Sequence, residues 1–477
     1  MESFASLLSD VEKNGIGILG MGVSAEAVID YVTKQLPTLG VKIPLFLRDK
    51  NPAPSLKKEL LGLPLVFCRF GENWLEDIRE KVLFRAPAVR PDLPPLVEAT
   101  KKGALLTSEV ALTARLCKGK IFAVTGSDGK TSTVSMLHEI LKACGKKEGF
   151  SAYLGGNIGV PLLCCAEELG ERDCATLELS SFQLFDFYPK SHVATVLNIT
   201  PNHLDVHRSF LEYAETKTHI LENAKRRVIL PHCPFALDYL RKEDILCCTH
   251  LTPEQAKKRF FGYAYIDFDG EWVSYRKGNS ACRLFQRADL KVLGEHQLYN
   301  AMTAAAMAWE TASPEHILAG ISGFPGVPHR LKMVAKLGDI PCFDSSIDTT
   351  PARVEATLSA MSGKPTVICG GSDKGLDYLP LAETLLRRAG RVVLTGDTAQ
   401  SILLALETMF QREQKEIPVF LKKDFTDSVK TAVEQTPKGE ALVLSPGCAS
   451  FDRFTNYKAR GQAFLEILKG LGATPTK

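Results

Sequence analysis

The segment best suited to chemistry in this 477-residue sequence is the short loop GSDGKT at 126–131. It follows an apolar run at 121–125 and precedes a helical pattern, so backbone N–H groups and a helix N-terminus can converge on anionic oxygens. Lys130 could neutralise phosphate there, and the Thr131 hydroxyl could ligate Mg²⁺. The pattern predicts a phosphate-binding loop of a short kind, G-x-x-G-K-T, because Val124 occupies the place of the usual first glycine.

Two further motifs carry side chains that could complete such a site. Glu178 ends the apolar run of LELSSFQ, and His203 lies in NITPNHLD. A buried acid at a strand end is costly unless it is paired, and Mg²⁺ shared with Thr131 is the simplest partner. A histidine considered alone could equally be an ordinary hydrogen-bonded core residue.

The elements that must position these residues alternate between strand-like apolar runs and amphipathic helical stretches. This alternation predicts an α/β protein with mostly parallel sheets. We expect three domains, with boundaries at 1–109, 110–326 and 327–477. The expected architecture is an N-terminal Rossmann-like domain, a central parallel sheet of the P-loop ATPase kind and a C-terminal Rossmann-like domain. In the third predicted domain, strand-like runs end in Gly, Ser or Pro. Loops at the carboxyl edge of a parallel sheet bind ligands, so these run ends are candidate binding loops.

The first block opens with a G-x-G turn. Gly20 and Gly22 follow an apolar run, and Asp49 ends the next run, as in a dinucleotide-type βαβ unit with its ribose-binding acid. Ala25 replaces the third glycine, and a tight turn between strand and helix explains the two glycines about as well.

Composition limits the class of protein. Apolar residues make up 45% and charged residues 24%, and the net charge is +3. These values are typical of globular proteins and argue against a dedicated nucleic-acid binder, which needs a concentrated basic surface. The thirteen cysteines include no C-x-x-C and indicate buried thiols in a reducing compartment. The N-terminus predicts neither a signal peptide nor a membrane span, so we expect a cytoplasmic protein, and we expect it to be a monomer.

Several motifs occur along the chain in an order that points to one family. They are TGSDGKT, GGNIGVP (155–161), ELSSFQ, NITPNHLD, the lysine of YAETK (213–217), GEH (294–296) with Asn300, PHR (328–330) and SPGCASFDRF (445–454). This series resembles the Mur ligases, the ATP-dependent amide-bond-forming enzymes of peptidoglycan precursor synthesis, over nearly the whole chain. GGNIG, ELSSFQ and the SPGCASFDRF ending resemble those members that join D-glutamate to UDP-N-acetylmuramoyl-L-alanine.

The resemblance implies a reaction and a catalytic group. A substrate carboxylate attacks the γ-phosphate of ATP, and an amine captures the resulting acyl phosphate. The implied catalytic residues are Lys130, Glu178, His203 and Lys217, and the implied ligands of two Mg²⁺ are Thr131, Glu178, His203 and Lys217. The matching family lysine is carbamylated, which would make Lys217 an anionic oxygen ligand; without the resemblance, it would be an exposed helix lysine.

The resemblance also assigns three sets of binding residues. The ATP set is Gly126, Ser127, Asp128, Gly129, Lys130, Thr131, Ser132, Asn300, Arg330 and Asp344. The UDP-substrate set is Gly22, Val23, Ser24, Asp49, Asn157, Ser181 and Gln183. The D-glutamate set is Thr349, Lys374, Ser450, Phe451 and Tyr457.

This sequence departs from the family pattern in two places. Where the family commonly has N-D-S-K-A-T-N, residues 344–350 read DSSIDTT, so the lysine is absent and the acid is displaced by one position. Thr349 keeps its register, whereas the ribose contact of Asp344 is put in doubt. The S-P-G turn of the first domain is APA at 86–88, which weakens the assignments in the UDP-sugar site.

Other classes of protein remain open at this point. A related Mur or folylpolyglutamate-type ligase with another amine substrate would fit the departures near the amino-acid pocket. A non-catalytic P-loop nucleotide switch would need the phosphate loop and Glu178, but not His203 and Lys217. A nicotinamide oxidoreductase would explain the first G-x-G turn, but it would not account for the motifs in the second and third predicted domains.

Overall fold

A computed structural model describes residue 11 and residues 14–54, 65–373 and 375–476 of the chain. It contains three sheets of five, nine and seven strands. The chain divides into two compact units, of which the first comprises Met1–Asp289 with Tyr299–Gly323, and the second comprises Leu290–Leu298 with Phe324–Lys477. The three α/β layers confirm the predicted fold class, and the domain boundaries at 109/110 and 326/327 stay a prediction.

The first sheet lies in the first unit and is parallel throughout, in the order β3-β2-β1-β4-β5. Its strands are β1 (Ile16–Leu19), β2 (Leu45–Asp49), β3 (Val66–Phe70), β4 (Val82–Arg85) and β5 (Leu105–Thr107), and its helices are α1 (Val23–Thr38), α2 (Pro94–Lys101) and α3 (Glu109–Leu116). All four residues of β1 are buried, as expected for a central strand covered on both faces.

The second sheet, also in the first unit, has the order β14-β13-β12-β11-β10-β9-β6-β8-β7. Its strands are β6 (Lys120–Thr125), β7 (Ala152–Gly156), β8 (Cys174–Glu178), β9 (Val193–Val196), β10 (Arg226–Ile229), β11 (Ile245–Cys247), β12 (Ala264–Phe268), β13 (Trp272–Lys277) and β14 (Ser280–Gln286). The strands from β7 to β12 are parallel, and β13 and β14 extend the sheet as antiparallel strands.

Helices of this middle region connect and cover the second sheet. They are α4 (Lys130–Glu148), α5 (Ser181–Leu184), α6 (Phe210–Glu222), α7 (Pro234–Leu237), α8 (Pro253–Phe260), α9 (Glu295–Ala308) and α10 (Pro314–Gly323), with short 3₁₀ turns at Leu162–Cys165 and Arg287–Asp289.

The third sheet belongs to the second unit and has the order β19-β18-β17-β20-β16-β15-β21. Its strands are β15 (Lys332–Leu337), β16 (Ile340–Asp344), β17 (Thr366–Cys369), β18 (Arg391–Leu394), β19 (Val419–Leu421), β20 (Leu442–Leu444) and β21 (Thr474–Pro475), and its helices are α11 (Pro351–Ala360), α12 (Leu379–Arg388), α13 (Ala399–Glu413), α14 (Phe425–Gln435) and α15 (Tyr457–Gly470). Only the pairings of β15 with β16 and with β21 are antiparallel among those described.

A close helix contact holds the helix that follows the phosphate loop. Gly320 of α10 packs against α4 so tightly that a Cβ at this position would lie 2.5 Å from the backbone nitrogen of Ile140. The face of α4 that carries Val134, Leu137 and Leu141 is fully buried. The start of α4 is therefore anchored by packing along the rest of the helix. Within the described ranges, every helix is too short or too polar to cross a lipid bilayer.

Candidate active site

The phosphate loop lies where the sequence predicts it, between the end of β6 and the start of α4. Ser127 holds the loop in place, because its hydroxyl donates to the Thr200 carbonyl at 3.0 Å and lies 2.9 Å from the Tyr213 hydroxyl. The Asp128 N–H donates to the Asn198 side chain at 2.9 Å. The loop is thus tied to the segment after β9 and to α6 by hydrogen bonds within the protein.

Lys130 and Asn300 both contact the loop. The Lys130 ammonium donates to the carbonyls of Gly126 at 2.8 Å and Ser127 at 2.9 Å, so it lies over the loop. Asn300 of α9 packs against Gly129, whose φ is +81° and whose Cβ, if present, would lie 2.5 Å from the Asn300 side-chain oxygen. Both the backbone angle and the space require glycine here.

The Thr131 hydroxyl and the Glu178 carboxylate meet at the ends of neighbouring parallel strands. Val124 of β6 is in register with Glu178 of β8, and the Thr131 hydroxyl donates to Glu178 Oε2 at 2.8 Å. Asn157 donates to Oε1 at 3.0 Å. Glu178 is 2% exposed and, within the described residues, forms no ion pair.

This pair fits Mg²⁺. A hydroxyl and a carboxylate are hard oxygen donors, and a buried carboxylate with only neutral partners benefits from a cation. In the described part of the chain, no three His, Cys, Asp or Glu side chains form a cluster that could enclose a metal. Substrate phosphates and water would therefore have to supply most of the ligands, as is usual for Mg²⁺ at nucleotide sites.

Lys217 of α6 contacts the same loop and is 2% exposed. Its ammonium donates to the Gly126 carbonyl at 2.9 Å and contacts the Thr125 hydroxyl at 3.4 Å. Burial, with the charge of Lys130, holds the pKa of Lys217 well below its ordinary value, although Glu178 and Asp128 oppose the shift. The structure thus brings Lys217 together with Lys130 and Glu178.

His203 belongs to the segment after β9 and has a left-handed backbone, with φ of +54°. Its ring packs edge-on against Phe182 at 4.9 Å. Partial burial lowers the pKa of His203; Asp205 opposes this shift, and Lys217 and Lys130 add to it. These electrostatic interactions place His203 in the surroundings of Lys130 and Lys217.

The residues predicted to bind the UDP-substrate fall into two groups. Asp49, at the end of β2, accepts hydrogen bonds from the N–H groups of Met21 and, at 2.7 Å, Asn51, so it fixes the G-x-G turn. Gly22 precedes α1 with open space around it, and Val23 is 67% exposed. Together with Ser24 they form an accessible helix N-terminus at the carboxyl edge of the first sheet.

The second group lies in the middle region, beside Glu178. Asn157 contacts Glu178 directly, as described above, and Ser181 lies 3.0 Å from the Nε2 atom of the buried His207. The Gln183 side chain accepts a hydrogen bond from the Ser180 N–H at 3.0 Å in a capping box at the start of α5. The structure therefore gives Gln183 a local structural role.

Arg90 is a residue that the sequence analysis missed. This residue of the first sheet's region donates to the Val206 carbonyl at 2.6 Å, to both oxygens of Glu212 at 2.7 and 3.1 Å, and to both oxygens of Asp92 at 2.8 Å. The hydrogen bonds to Arg90 lower the pKa of both Asp92 and Glu212. Val206 is three residues from His203, and Glu212 is in the first turn of the helix that carries Lys217.

Arg85 makes a second connection of this kind. Its side chain is fully buried and pairs with Asp186, while it also donates to the Phe182 carbonyl at 3.1 Å. Both arginines have local partners, Val89 for Arg85 and Asp92 for Arg90, but their bonds to the middle region join residues more than ninety positions apart in the chain. The APAVRPD segment, where the family pattern is broken, is the only signal in the sequence that could have indicated Arg90.

In the second unit, Asp344 ends β16 and forms a pair with His329. Asp344 Oδ2 lies 2.7 Å from His329 Nδ1, and Oδ1 accepts the Ser346 N–H at 2.8 Å. The Leu331 N–H donates to the Ser345 hydroxyl at 3.1 Å. These bonds hold both neighbours of Arg330, the residue predicted to contact a nucleotide phosphate.

The predicted D-glutamate residues lie at the carboxyl edge of the third sheet. Thr349 follows β16, and Ser450 and Phe451 lie in the loop after β20, where Ser450 is buried and Phe451 is 70% exposed. Tyr457 begins α15, and its ring lies 6.0 Å from that of His329. Lys374 lies outside the described residues.

Two residues of this edge were missed by the sequence analysis. Arg460 is 2% exposed and donates to the carbonyls of Ala449 at 2.9 Å, Cys448 at 3.0 Å and Ser346 at 2.9 Å, so it ties two loops together. Asp348 accepts hydrogen bonds from the hydroxyls of Thr357 and Ser445, both at 2.7 Å. Burial raises the pKa of Asp348.

The glycine loop, its lysine, and the hydroxyl and carboxylate pair define a phosphate-binding site of the kind used by nucleotide-dependent enzymes. Residues 124–308 match the model of the Mur ligase middle domain. The UDP-N-acetylmuramoylalanine--D-glutamate ligase of Ruminiclostridium cellulolyticum is 34% identical, with 97% of this chain and 98% of that protein covered. The enzyme of the same name from Clostridium botulinum is 32% identical, with 98% and 99% covered.

Solved structures show the same fold at lower identity. UDP-N-acetylmuramate-alanine ligase MurC from Thermotoga maritima has a TM-score of 0.56 at 17% identity, with 96% of this chain and 99% of that chain covered. MurF from Acinetobacter baumannii has a TM-score of 0.55 at 18% identity, with 76% and 82% covered. The chain belongs to the Mur ligase family, whose members are ATP-dependent amide-bond-forming ligases.

Proposed function

We propose that this protein joins D-glutamate to UDP-N-acetylmuramoyl-L-alanine at the expense of ATP, in peptidoglycan precursor synthesis in the cytoplasm. The observation that carries the proposal is the meeting of Lys130, Thr131, Glu178 and Lys217 around one loop. Two relatives that cover nearly the whole chain carry the corresponding name. A non-catalytic nucleotide switch has no use for a buried lysine beneath its phosphate loop.

The residues of the loop support the first half of the reaction. A carboxylate that attacks the γ-phosphate of ATP meets a polyanion, so charge must be neutralised where it develops. The loop N–H groups and the start of α4 would hold the phosphates, and Lys130 would move from the loop carbonyls to the phosphate oxygens. Asn300 would contact the adenine, as the family resemblance implies.

The substrates are proposed to bind at two sheet edges. The UDP moiety would lie on the accessible N-terminus of α1, where Gly22, Val23 and Ser24 offer N–H groups to its phosphates. D-glutamate would bind in the second unit, at Thr349, Lys374, Ser450, Phe451 and Tyr457. Arg330, with Asp344 holding its neighbour His329, would contribute to the nucleotide site.

One assay tests the proposed function directly. ADP release should require UDP-N-acetylmuramoyl-L-alanine and D-glutamate together, and the product should be the corresponding amide by mass spectrometry. L-lysine and diaminopimelate serve as control amines. Turnover with either of them and none with D-glutamate would show that the proposed amine substrate is wrong.

We further propose that the site holds two Mg²⁺ and that Lys217 acts as a carbamate. Bound Mg²⁺ would screen the repulsion between the two anionic reactants, with Thr131, Glu178, His203 and Lys217 as the protein ligands. A carbamate at Lys217 would supply an anionic oxygen where an ammonium would repel a metal. The buried amine, with its lowered pKa, is suited to react with CO₂.

The carbamate can be tested by substitution and chemical rescue. Lys217→Arg and Lys217→Ala should both lose at least about 100-fold in kcat, because neither supplies an anionic oxygen. Acetate or formate should partly restore Lys217→Ala and leave Lys217→Arg unchanged. Circular dichroism and binding of the UDP-substrate control for folding. An active Lys217→Arg enzyme would contradict the carbamate.

A further inference from the structure

Four lysines gather at the amino-terminal edge of the nine-stranded sheet, the edge opposite the phosphate loop. Lys120 begins β6 and Lys118 lies two residues before it, Lys190 lies just before β9, and Lys225 directly precedes β10. Because β10, β9 and β6 are neighbours in the sheet and run parallel, these residues share one edge. At about 3.3 Å per residue, the length of β6 separates Lys120 from Gly126 by roughly 15–20 Å.

The four lysines line a single cleft of about 470 Å³, here named the Lys120 cleft. Ser191, His192 and Asn223 also line it, and Glu171 is its acidic residue. The volume lies in the range of pockets that bind small molecules. The cleft is therefore large enough for a ligand and carries a marked excess of positive charge.

The positive charge of the cleft is not neutralised within the described residues. None of the four ammonium groups forms a hydrogen bond or an ion pair with another described residue. His192 experiences the resulting field: burial, and then Lys120, Lys225 and Arg226, lower the pKa of His192 to about 4. Like charges held this close favour an anion from solution.

Unused hydrogen-bonding groups lie on both sides of Lys120. The Ser191 hydroxyl is buried and has no partner in the described part of the structure. A second cavity of about 310 Å³ shares Lys120 and Glu171 with the cleft and is also lined by Thr311 and His316. The Thr311 hydroxyl and His316 Nε2 are buried and likewise lack a described partner, and His316 is 7% exposed. Buried polar atoms usually have partners, so these groups retain the capacity to form one more hydrogen bond each.

We propose that the Lys120 cleft is a second ligand site, which binds the diphosphate or triphosphate group of a phosphorylated compound. A single carboxylate would neutralise one lysine, whereas a polyphosphate carries several charges on one compact group and accepts many hydrogen bonds. Ser191 lines the same cleft, and its unpartnered hydroxyl lies within the cleft wall. No residue of the Lys120 cleft takes part in the proposed ligase reaction, so the experiments on the cleft and on the ligase activity can fail independently.

Calorimetry with pyrophosphate tests the site on the full-length protein. Wild-type protein should bind two pyrophosphates, one at the phosphate loop and one at the Lys120 cleft. Lys130→Ala should lose the first and keep the second. Lys120→Gln/Lys225→Gln should weaken the second by about tenfold or more and leave basal ligase activity unchanged.

Lys257→Gln/Lys258→Gln is the matched control, because it removes two exposed lysines from α8 of the same unit and changes the net charge equally. The control should bind as the wild type does. Equal weakening in both double variants would show only general electrostatic attraction, and would overturn the proposal. If the Lys130→Ala variant does not bind pyrophosphate, the Lys120 cleft is not a site for free polyphosphates.

The phosphate group could also belong to a lipid, and a second arm separates the two sources. Vesicles of phosphatidylglycerol are sedimented with wild-type protein and with each double variant. Sedimentation that depends on Lys120 and Lys225, without pyrophosphate binding, would overturn the polyphosphate assignment and indicate an anionic lipid surface, because each phosphatidylglycerol carries only one phosphodiester charge. Failure of both pyrophosphate and vesicles would refute the site.

His192 gives a spectroscopic readout that a purely structural role of the lysines would not produce. A bound anion should stabilise the protonated imidazole, so the His192 resonance should titrate at a higher pH with saturating pyrophosphate than without it. An unchanged titration of His192 alongside pyrophosphate binding would place the ligand elsewhere and contradict the assignment to this cleft.

Discussion

Asp344 engages both of its carboxylate oxygens within the second unit, with His329 and with the Ser346 N–H. Asp344→Ala leaves these two partners unpaired, and we expect a loss of about 1–3 kcal/mol in unfolding free energy. His329 directly precedes Arg330, which is proposed to contact a nucleotide phosphate. Loss of the Asp344 contact should therefore raise the KM for ATP and leave the KM for D-glutamate nearly unchanged. Steady-state kinetics and denaturant unfolding measure the two effects.

The use of 3′-deoxy-ATP tells whether Asp344 acts through His329 or on the ribose. If the carboxylate is held by His329, the penalty for removing the ribose hydroxyl should be the same in wild type and in Asp344→Ala. If that penalty disappears in the variant, Asp344 contacts the ribose directly.

At this scale, the sequence predicts contacts that follow from local order and strand direction. The contact between Thr131 and Glu178 could be predicted from the sequence, because both residues lie at the carboxyl ends of strands that must meet at one sheet edge. The bonds of Arg90 to Val206 and Glu212 could not, because they join segments whose approach depends on the packing of the first sheet's region against the middle region. The bond between His329 and Asp344 follows from the antiparallel pairing of β15 with β16, which the sequence analysis did not predict. A glutamine in a capping box, such as Gln183, looks the same in sequence as one that binds a ligand.

The turn between β6 and α4 depends on Gly129, and the substitution of this glycine by alanine tests that dependence. Gly129→Ala would place a Cβ against the Asn300 side chain and would strain a backbone with φ of +81°. We expect ATP affinity to fall by at least about tenfold, with UDP-substrate affinity unchanged. Gly262→Ala is the control, since a Cβ there meets no atom within 4 Å. Calorimetry with ATP and with the UDP-substrate measures the two affinities. Normal ATP binding by Gly129→Ala would contradict this role of Gly129.

Arg90 connects the loop after β4 with the start of α6, and its loss should affect catalysis more than binding. In Arg90→Met, Glu212 loses its bidentate partner and Val206 loses a donor, so the elements that carry Lys217 and His203 are less well fixed. We expect kcat to fall about tenfold or more, with a smaller change in UDP-substrate affinity.

Two comparisons make the test of Arg90 specific. Arg90→Lys should not rescue activity, because an ammonium cannot form the planar bidentate contact. Arg208→Ala removes an arginine that also reaches Asp92 but is 72% exposed, and it should behave as the wild type does. Equal kcat losses in Arg90→Met and Arg208→Ala would contradict a special role of Arg90.

The distribution of thiols over the whole molecule offers a check on the fold. All thirteen cysteines are free; two are exposed, Cys68 and Cys164, and eight are buried. Burial raises the pKa of buried thiols such as Cys247, to about 12, and Cys342, to about 11. We expect two thiols to react quickly with Ellman's reagent at pH 8 and thirteen to react after denaturation. Rapid reaction of many more in the native protein would contradict the described packing.

At the scale of the whole molecule, apolar runs and their spacing were sufficient to predict an α/β protein with mostly parallel sheets. The antiparallel extensions were not predicted. β13 and β14 have exposed and buried residues in mixed order, which lacks the continuous apolar run of a central parallel strand. The edge strand β21 has only two residues, too few for any periodicity.

The contact of Gly320 with Ile140 has a consequence for the order in which the first unit opens. A helix pressed this closely against its neighbour has no room for local fraying, so α4 should separate from α10 only when the surrounding core is lost. Amide protons in the middle of α4 should then exchange with solvent at the rate of global opening, more slowly than those of the exposed helix α8. A bulkier residue at 320 would convert this slow exchange into a fast local process. Such a variant would keep every residue of the phosphate loop and lose the rigidity that holds the loop in shape.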